Sequence, residues 1–342
     1  MTGSAWWQPD IHADRRPFLV QRGRVRRALE NWFDAEGFLN VECGALQVSP
    51  GNETHLHAFS SDFLNEDGTK AATLYLHTSP EFSCKKLLAA GETRIVDFAR
   101  VYRNREAGLL HSPEFTMIEW YRAGADLAEV MKDTVTLCRE ALNASTRTAL
   151  EWQGKSCDPF QPPEYLTLVE AFERYAGIDL EAVLDDRTAF LEVARHAGIN
   201  LPDSVTWSDI FSAVLVARVE HRLGEGRLTV LHRYPVCEAA LARACADDPR
   251  FADRFELYAC GVELANGFQE LTDPVEQRVR FEEDMALKQT LYGESYPLDE
   301  AFLAALPHMP DASGVALGFD RLVVLASGAR SITDVIWTPF PA

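Results

Sequence analysis

Between residues 17 and 36 the apolar side chains Phe18, Val25, Leu29, Trp32 and Phe33 recur at the spacing of one helix face, and Gly37 closes the run. Six arginines, Arg15, Arg16, Arg22, Arg24, Arg26 and Arg27, crowd the same segment. The pattern predicts an amphipathic helix with these arginines on its wet face. FLNVECGALQVS then reads as a strand and its exit. LYLHTSP is a short strand running into the helix EFSCKKLLAAG, with Thr78 or Ser79 able to cap it and Pro80 in its first turn. RIVDFARVYR and FTMIEWYRAG are two strands on either side of a charged loop, which predicts an antiparallel pair.

From about 125 to 250 the pattern turns mostly helical and carries no chemically loaded motif, so this stretch reads as an inserted helical subdomain. Strand patterns return with RFELYACGVELANGFQEL. A charged helix, DPVEQRVRFEEDMALKQTLYG, follows, and SGVALGFDRLVVLASG is a strand leading into a helix.

Composition narrows the classes. The chain has 342 residues, 47% of them hydrophobic, enough for a large core. No apolar run has signal-peptide character or the roughly 18 residues of a membrane span, so a soluble protein is expected. Seven scattered cysteines without a CxxC pair argue against a disulfide framework or zinc knuckle and suit a cytoplasmic location. A net charge of −19 disfavours a large nucleic-acid interface.

Several positions could carry chemistry. Alternation in FTMIEWYR puts Met117, Glu119 and Tyr121 on one face, and Ile118, Trp120 and Arg122 on the other. A carboxylate beside a phenol suits an ammonium ligand if that face is inward; facing outward, both are merely solvated. If Cys260 and Gly261 turn a hairpin, Glu256 and Glu263 share a face, where two carboxylates repel unless a cation lies between them. Oxygen ligands there suit magnesium with a phosphate. The alternative is solvated glutamates, with Asn266-Gly267 a second turn. Glu81 falls in a first helical turn, where a carboxylate meets the helix dipole. His111 sits in a loop from which it can donate to a phosphate. His55 and His57 alternate as in a two-histidine metal site, without a third ligand. Gly314 and Gly318 precede Asp320 and Arg321, and close strand–helix packing accounts for both glycines; neither GxGxxG nor GxxxxGK(S/T) occurs. Arg321 is harder to place, since it enters an otherwise apolar helix.

Taken in order, these stretches resemble one family. YRNRE and HSPEFTMIEWY resemble motif 2 of the class II aminoacyl-tRNA synthetases, GVALGFDRL resembles motif 3, and LENWFDAEGFLNVECGALQVSP stands at the motif 1 position. FELY with ELANGFQEL resembles the lysyl-tRNA synthetase catalytic domain specifically. Motif 1 begins almost at the N-terminus, so no anticodon-binding OB domain is expected. A lone catalytic domain with ELANGFQEL, MPDASGVALGFDRL and EWYRAG is similar to the ligases that attach lysine or β-lysine to a lysine side chain of elongation factor P.

The resemblance implies a single α+β domain over 1–342, an antiparallel sheet flanked by helices, with the helical segment 125–250 inserted between motifs 2 and 3. It implies ATP and Mg²⁺ as cofactors, lysine or β-lysine as substrate, elongation factor P as the acceptor in place of tRNA, and a homodimer formed through motif 1. By the same resemblance Arg103 and Arg321 are the catalytic arginines. Arg103 would hold the α-phosphate and the substrate carboxylate, and Arg321 the γ-phosphate. Asn104, Glu106, His111 and Phe115 would complete the ATP site, Phe115 by stacking on adenine. Glu256 and Glu263 would bind Mg²⁺ and ATP. Glu81 would receive the amino group near the reacting end, while Glu119, Tyr121 and Glu270 would hold the distal ammonium, with Asn266 and Ala316 also on the substrate side.

Three positions depart from the family pattern. Arg105 replaces the motif 2 glutamate, and Glu106 is next to take its role; Gly44 replaces the motif 1 proline. Ala316 stands in GVALG, where synthetases using α-lysine resemble GxGxG. The Ala316 methyl suggests β-lysine, but one methyl is worth only about 1–3 kcal/mol of discrimination, so α-lysine and β-lysine both stay open. Two other readings compete: a truncated lysyl-tRNA synthetase paralogue that charges RNA, and an inactive paralogue serving as a regulatory binding subunit.

Overall fold

The computed structural model describes residues 5–340. Helix α1 (Pro9–Ala35) starts with a proline in its first turn and ends before Gly37, whose φ of +75° no β-carbon residue adopts easily. It begins eight residues before the apolar pattern does, because PDIHADRR offers almost no apolar side chains to signal a helix. Two of its arginines depart from the expected wet face. Arg15 is buried and donates to the carbonyls of Thr333 and Ile336, and Arg22 is buried in an ion pair with Asp320.

Strand β1 (Leu39–Val41) and the short β2 (Leu46–Gln47) follow. Strands β3 (Phe59–Leu64) and β4 (Lys70–Leu76) pair with β2 in a small separate sheet. Helix α2 (Glu81–Ala89) leads to β5 (Arg94–Tyr102) and β6 (Glu114–Ala123), which pair antiparallel as expected, with Asp97 opposite Glu119. After α3 (Leu127–Asn143) come a two-strand hairpin, β7 (Leu150–Trp152) and β8 (Lys155–Cys157), and then β9 (Glu164–Thr167). Helices α4 (Leu168–Ala176), α5 (Arg187–His196) and α6 (Trp207–Val214) precede β10 (Thr229–Pro235). Strands β11 (Phe251–Ala259) and β12 (Val262–Gln269) form the hairpin turned by Cys260 and Gly261. Both turn residues have positive φ, as a type I′ turn requires. Helices α7 (Pro274–Tyr292) and α8 (Glu300–Ala305) lead to β13 (Ala312–Gly318), α9 (Phe319–Ser327) and α10 (Ile332–Val335).

The main sheet has eight strands in the order β1-β5-β6-β13-β12-β11-β10-β9. Its six inner strands run antiparallel, and the edge strands β1 and β9 are each parallel to their neighbour. One face carries Val96, Ile118, Trp120, Leu257, Val315 and Leu317 into a core closed by α1, α3 and α9. The other face, at β6, β12 and β13, is only partly roofed by α2 and α8, and this leaves a cleft.

The helical stretch is narrower than 125–250. Val130, Leu137 and Cys138 of α3 belong to the main core, and β9 and β10 are strands of the main sheet. Only α4 to α6 and their connections, with Phe172, Phe190, Phe211 and Val214, have a core of their own, closed against Leu231, Tyr234 and Tyr258 of the sheet.

Candidate active site

The cleft measures about 1080 Å³ including its open mouth, room for a nucleotide and an amino acid together. Twelve of the fourteen residues singled out in the sequence line it: Glu81, Arg103, Glu106, His111, Phe115, Glu119, Tyr121, Glu263, Asn266, Glu270, Ala316 and Arg321.

At its deep end, strand alternation turns Glu119 and Tyr121 inward, away from the core around Ile118 and Trp120. The Tyr121 hydroxyl donates to Glu119 Oε1 at 2.5 Å, and the Ser79 hydroxyl donates to Oε2 at 2.6 Å. Ser79 also accepts the Glu81 amide at 3.1 Å, so it ties the start of α2 to the pocket floor. Glu270 is fully buried. Its Oε2 lies 2.5 Å from Lys85 Nζ without an aligned hydrogen bond, and Oε1 has no hydrogen-bond partner. Lys85 also meets Glu81 at 2.5 Å. Burial alone would lower the lysine's pKa; Glu270 and then Glu81 outweigh it and hold it above the ordinary value. Three carboxylates thus face one ammonium. Burial, with the charge of Glu81 next, raises the Glu119 carboxyl, and burial likewise raises Glu270 although Lys85 opposes it. An orphaned buried carboxylate oxygen in a pocket short of positive charge fits a ligand carrying an ammonium group.

Gly314 has a different reason from the close strand–helix packing expected of it. A β-carbon there would stand 2.4 Å from Glu270 Oε1 and from the Tyr121 ring. The absent side chain is what leaves the pocket open. Asn266-Gly267, read alternatively as a turn, lies inside β12, where a β-carbon on Gly267 would strike the Phe255 ring at 2.6 Å.

The outer end of the cleft is cationic. The Arg103 guanidinium lies 5.3 Å from the centre of the Phe115 ring. Arg321 Nη2 is 2.8 Å from His111 Nε2, and its Nη1 is 3.1 Å from the Glu263 carbonyl oxygen and 3.5 Å from the carboxylate. The neighbouring Asp320 fixes the start of α9. Fully buried, it pairs with Arg22 and accepts the Thr116 amide at 2.8 Å. Burial and then Arg321 lower the His111 pKa.

Two expected residues lie elsewhere. Asn104 forms an isolated bridge with His57 and accepts the Arg105 amide at 2.9 Å; it lines a neighbouring surface depression instead of the cleft. Arg105, at a φ of +69°, pairs with Glu294 outside the cleft while Glu106 faces in, which suits Glu106 to the motif 2 glutamate's role. Glu256 is buried behind the cleft wall, 2.6 Å from both Arg254 and the Tyr258 hydroxyl. Its carboxyl is raised by burial first and by Glu263 second. Glu220 joins these two. Burial, with the charges of Glu256 and Glu263, pushes it up to about 7. His55 and His57 do not share a site, for His55 meets the Tyr292 hydroxyl and His57 meets Glu294, each at 2.8 Å.

Lys85, Ser79 and Glu220 were missed from the sequence. The four-residue step from Glu81 to Lys85 on one helix face was a signal for the first. Nothing local marks Glu220, which reaches its partners only through the fold.

A mostly antiparallel sheet whose one face bears a cleft with Arg103 and Arg321 at one end and buried carboxylates at the other fits a class II synthetase catalytic domain. The family described as tRNA synthetases class II (D, K and N) matches residues 11–342, and the chain belongs to it. Within the family the chain is similar to proteins named elongation factor P–(R)-β-lysine ligase. That of Proteus mirabilis is 36% identical over 99% of both chains. That of Haemophilus ducreyi is 37% identical over 96% of this chain and 95% of its own, and that of Klebsiella pneumoniae 37% over 98% of both.

Proposed function

We propose that this chain activates lysine or (R)-β-lysine with ATP and transfers it to a lysine side chain of elongation factor P. The observation that carries the reading is the buried, unpartnered Glu270 Oε1 beside the Glu119–Tyr121 pair, in the same cleft as Arg103 and Arg321.

The substrate's distal ammonium pairs with Glu270 and Glu119, and Glu81 receives the amino group nearer the reacting end. Its carboxylate then lies toward Arg103. A carboxylate oxygen attacks the α-phosphorus of ATP, the bond to the bridging oxygen breaks, and pyrophosphate leaves. No protein nucleophile is needed. Arg103 neutralises the α-phosphate, Arg321 and His111 hold the departing phosphates, and Phe115 stacks on the base. The charge of Glu263 acts on both Glu256 and Glu220, a repulsion that a divalent cation would relieve; Glu256 and Glu263 would hold Mg²⁺, which would supply further neutralisation of phosphate charge. In the second step a neutral lysine amine of the acceptor attacks the adenylate carbonyl and AMP leaves. The buried carboxylates reject uncharged analogues, which would leave them unpaired.

The same reading takes 1–342 as one catalytic unit, cytoplasmic and paired as a homodimer through motif 1. Support for the dimer comes from Leu39, Leu46 and Val48, all about half exposed there. The −19 charge supports a protein acceptor over tRNA. ATP–pyrophosphate exchange tests the first step: exchange that requires lysine or β-lysine is expected. Exchange with neither, in protein that binds ATP, would refute the reading.

A further inference from the structure

Cys43, Cys84 and Asp97 are far apart in sequence, and the fold brings one ligand atom from each within 4.8 Å of the other two. Cys43 lies just after β1, Cys84 in α2 and Asp97 on β5. We propose that these three side chains bind a zinc ion beneath the amino-acid end of the cleft.

The two Sγ atoms are 3.7 Å apart. Tetrahedral zinc with Zn–S bonds of about 2.3 Å sets two thiolates about 3.8 Å apart, so the pair already has the required span. A disulfide would need a further closure to about 2.05 Å. Asp97 is 4% exposed and has no ion-pair partner among the described residues; its Oδ2 accepts only the Cys43 amide, at 3.0 Å, among the resolved side-chain hydrogen bonds. A buried carboxylate without a cation is costly. Asp97 stands opposite Glu119, another buried carboxyl, in the sheet register. His77, which feels Asp97, has a buried Nδ1 without a partner.

Two sulfurs and one oxygen select zinc over magnesium or calcium. Cys43 is only partly buried, which gives the ion a route in and leaves its fourth position to water. Binding releases the thiol protons of Cys43 and Cys84 to solvent. The ion would fasten α2 to β5 and to the chain leaving β1, and α2 carries Glu81 and Lys85.

The test needs no substrate, so its failure is separable from failure of the proposed reaction. Reduced, metal-free, full-length protein is titrated with Co²⁺. One ion per chain is expected, with a near-ultraviolet thiolate-to-cobalt charge-transfer band that Zn²⁺ abolishes. Cys43→Ser and Cys84→Ser should each remove the band, Asp97→Asn should weaken Co²⁺ binding at least about 10-fold, and Cys237→Ser, at an exposed cysteine, should keep it. Should Cys84→Ser not fold, Cys43→Ser at the more accessible position decides. Absence of the band from the reduced wild-type protein, or its persistence in Cys43→Ser, overturns the site.

Discussion

Lys85 Nζ lies 2.5 Å from Glu270 Oε2, with both side chains fully buried at the base of the cleft. This ion pair is half of the pocket's electrostatics, because it offsets one carboxylate and leaves the others for a cationic substrate. Replacing the lysine by an apolar residue leaves Glu81 and Glu270 facing each other. Lys85→Met should therefore lower stability by about 3–5 kcal/mol, measured by urea unfolding. Added lysine should recover part of the loss, since its ammonium supplies the missing charge. An unchanged midpoint would show that the pair does not hold the pocket.

Glu270→Gln keeps the shape and removes the charge. Lysine-dependent pyrophosphate exchange should fall by about 2–5 kcal/mol in kcat/KM, at least about 30-fold, while ATP binding changes little. Equal losses for both ligands would move Glu270 from the substrate site to a general structural role.

Much of this site was legible because its parts obey short-range rules. The β6 alternation sorted Glu119 and Tyr121 from Trp120 without saying which face was inward, and Cys260-Gly261 was a possible hairpin turn that the positive φ of both residues bears out. What local pattern could not show was pairing across the fold. Arg22 looked like a solvated helix residue until Asp320, almost 300 positions later, met it in the core. The edge strand β9 and its neighbour β10 flank a helical stretch, and their membership of the main sheet depends on β11, which follows them. Glu220 opens a single 3-10 turn of three residues, too short for its approach to Glu256 and Glu263 to have a periodic signature.

Gly314→Ala would put a methyl within 2.4 Å of Glu270 and Tyr121. Lysine activation should drop about 100-fold, the cost of displacing a substrate by roughly an ångström. At Ala316, two residues further along β13, Ala316→Gly should shift the preference between α-lysine and β-lysine by about 1–3 kcal/mol, toward α-lysine. Comparing kcat/KM for the two isomers checks both.

The pH dependence has a definite sign. Burial, then Glu81, pushes Glu119 from 4.5 to about 8 in the free protein. A raised carboxyl stabilises the fold below its unfolded value and loses that contribution as pH climbs through about 8. The ammonium-bearing substrate needs the ionised form, so binding expels a proton. Lysine KM should fall as pH rises toward about 8 and level off above it, by up to about tenfold per unit for each proton released, and the free protein should lose thermal stability between about pH 4.5 and 8. Calorimetry in two buffers of different ionisation enthalpy counts the protons. A pH-independent KM would contradict the assignment of Glu119 to the ammonium.

The central claim is transfer to a protein, and intact-mass spectrometry of purified elongation factor P tests it most directly. The acceptor is incubated with this chain, ATP, Mg²⁺ and either α-lysine or (R)-β-lysine, beside a tube containing tRNA instead. A gain of one lysyl unit on elongation factor P is expected, faster with the β isomer, with no charged tRNA. Charging of tRNA with an unmodified elongation factor P would contradict it.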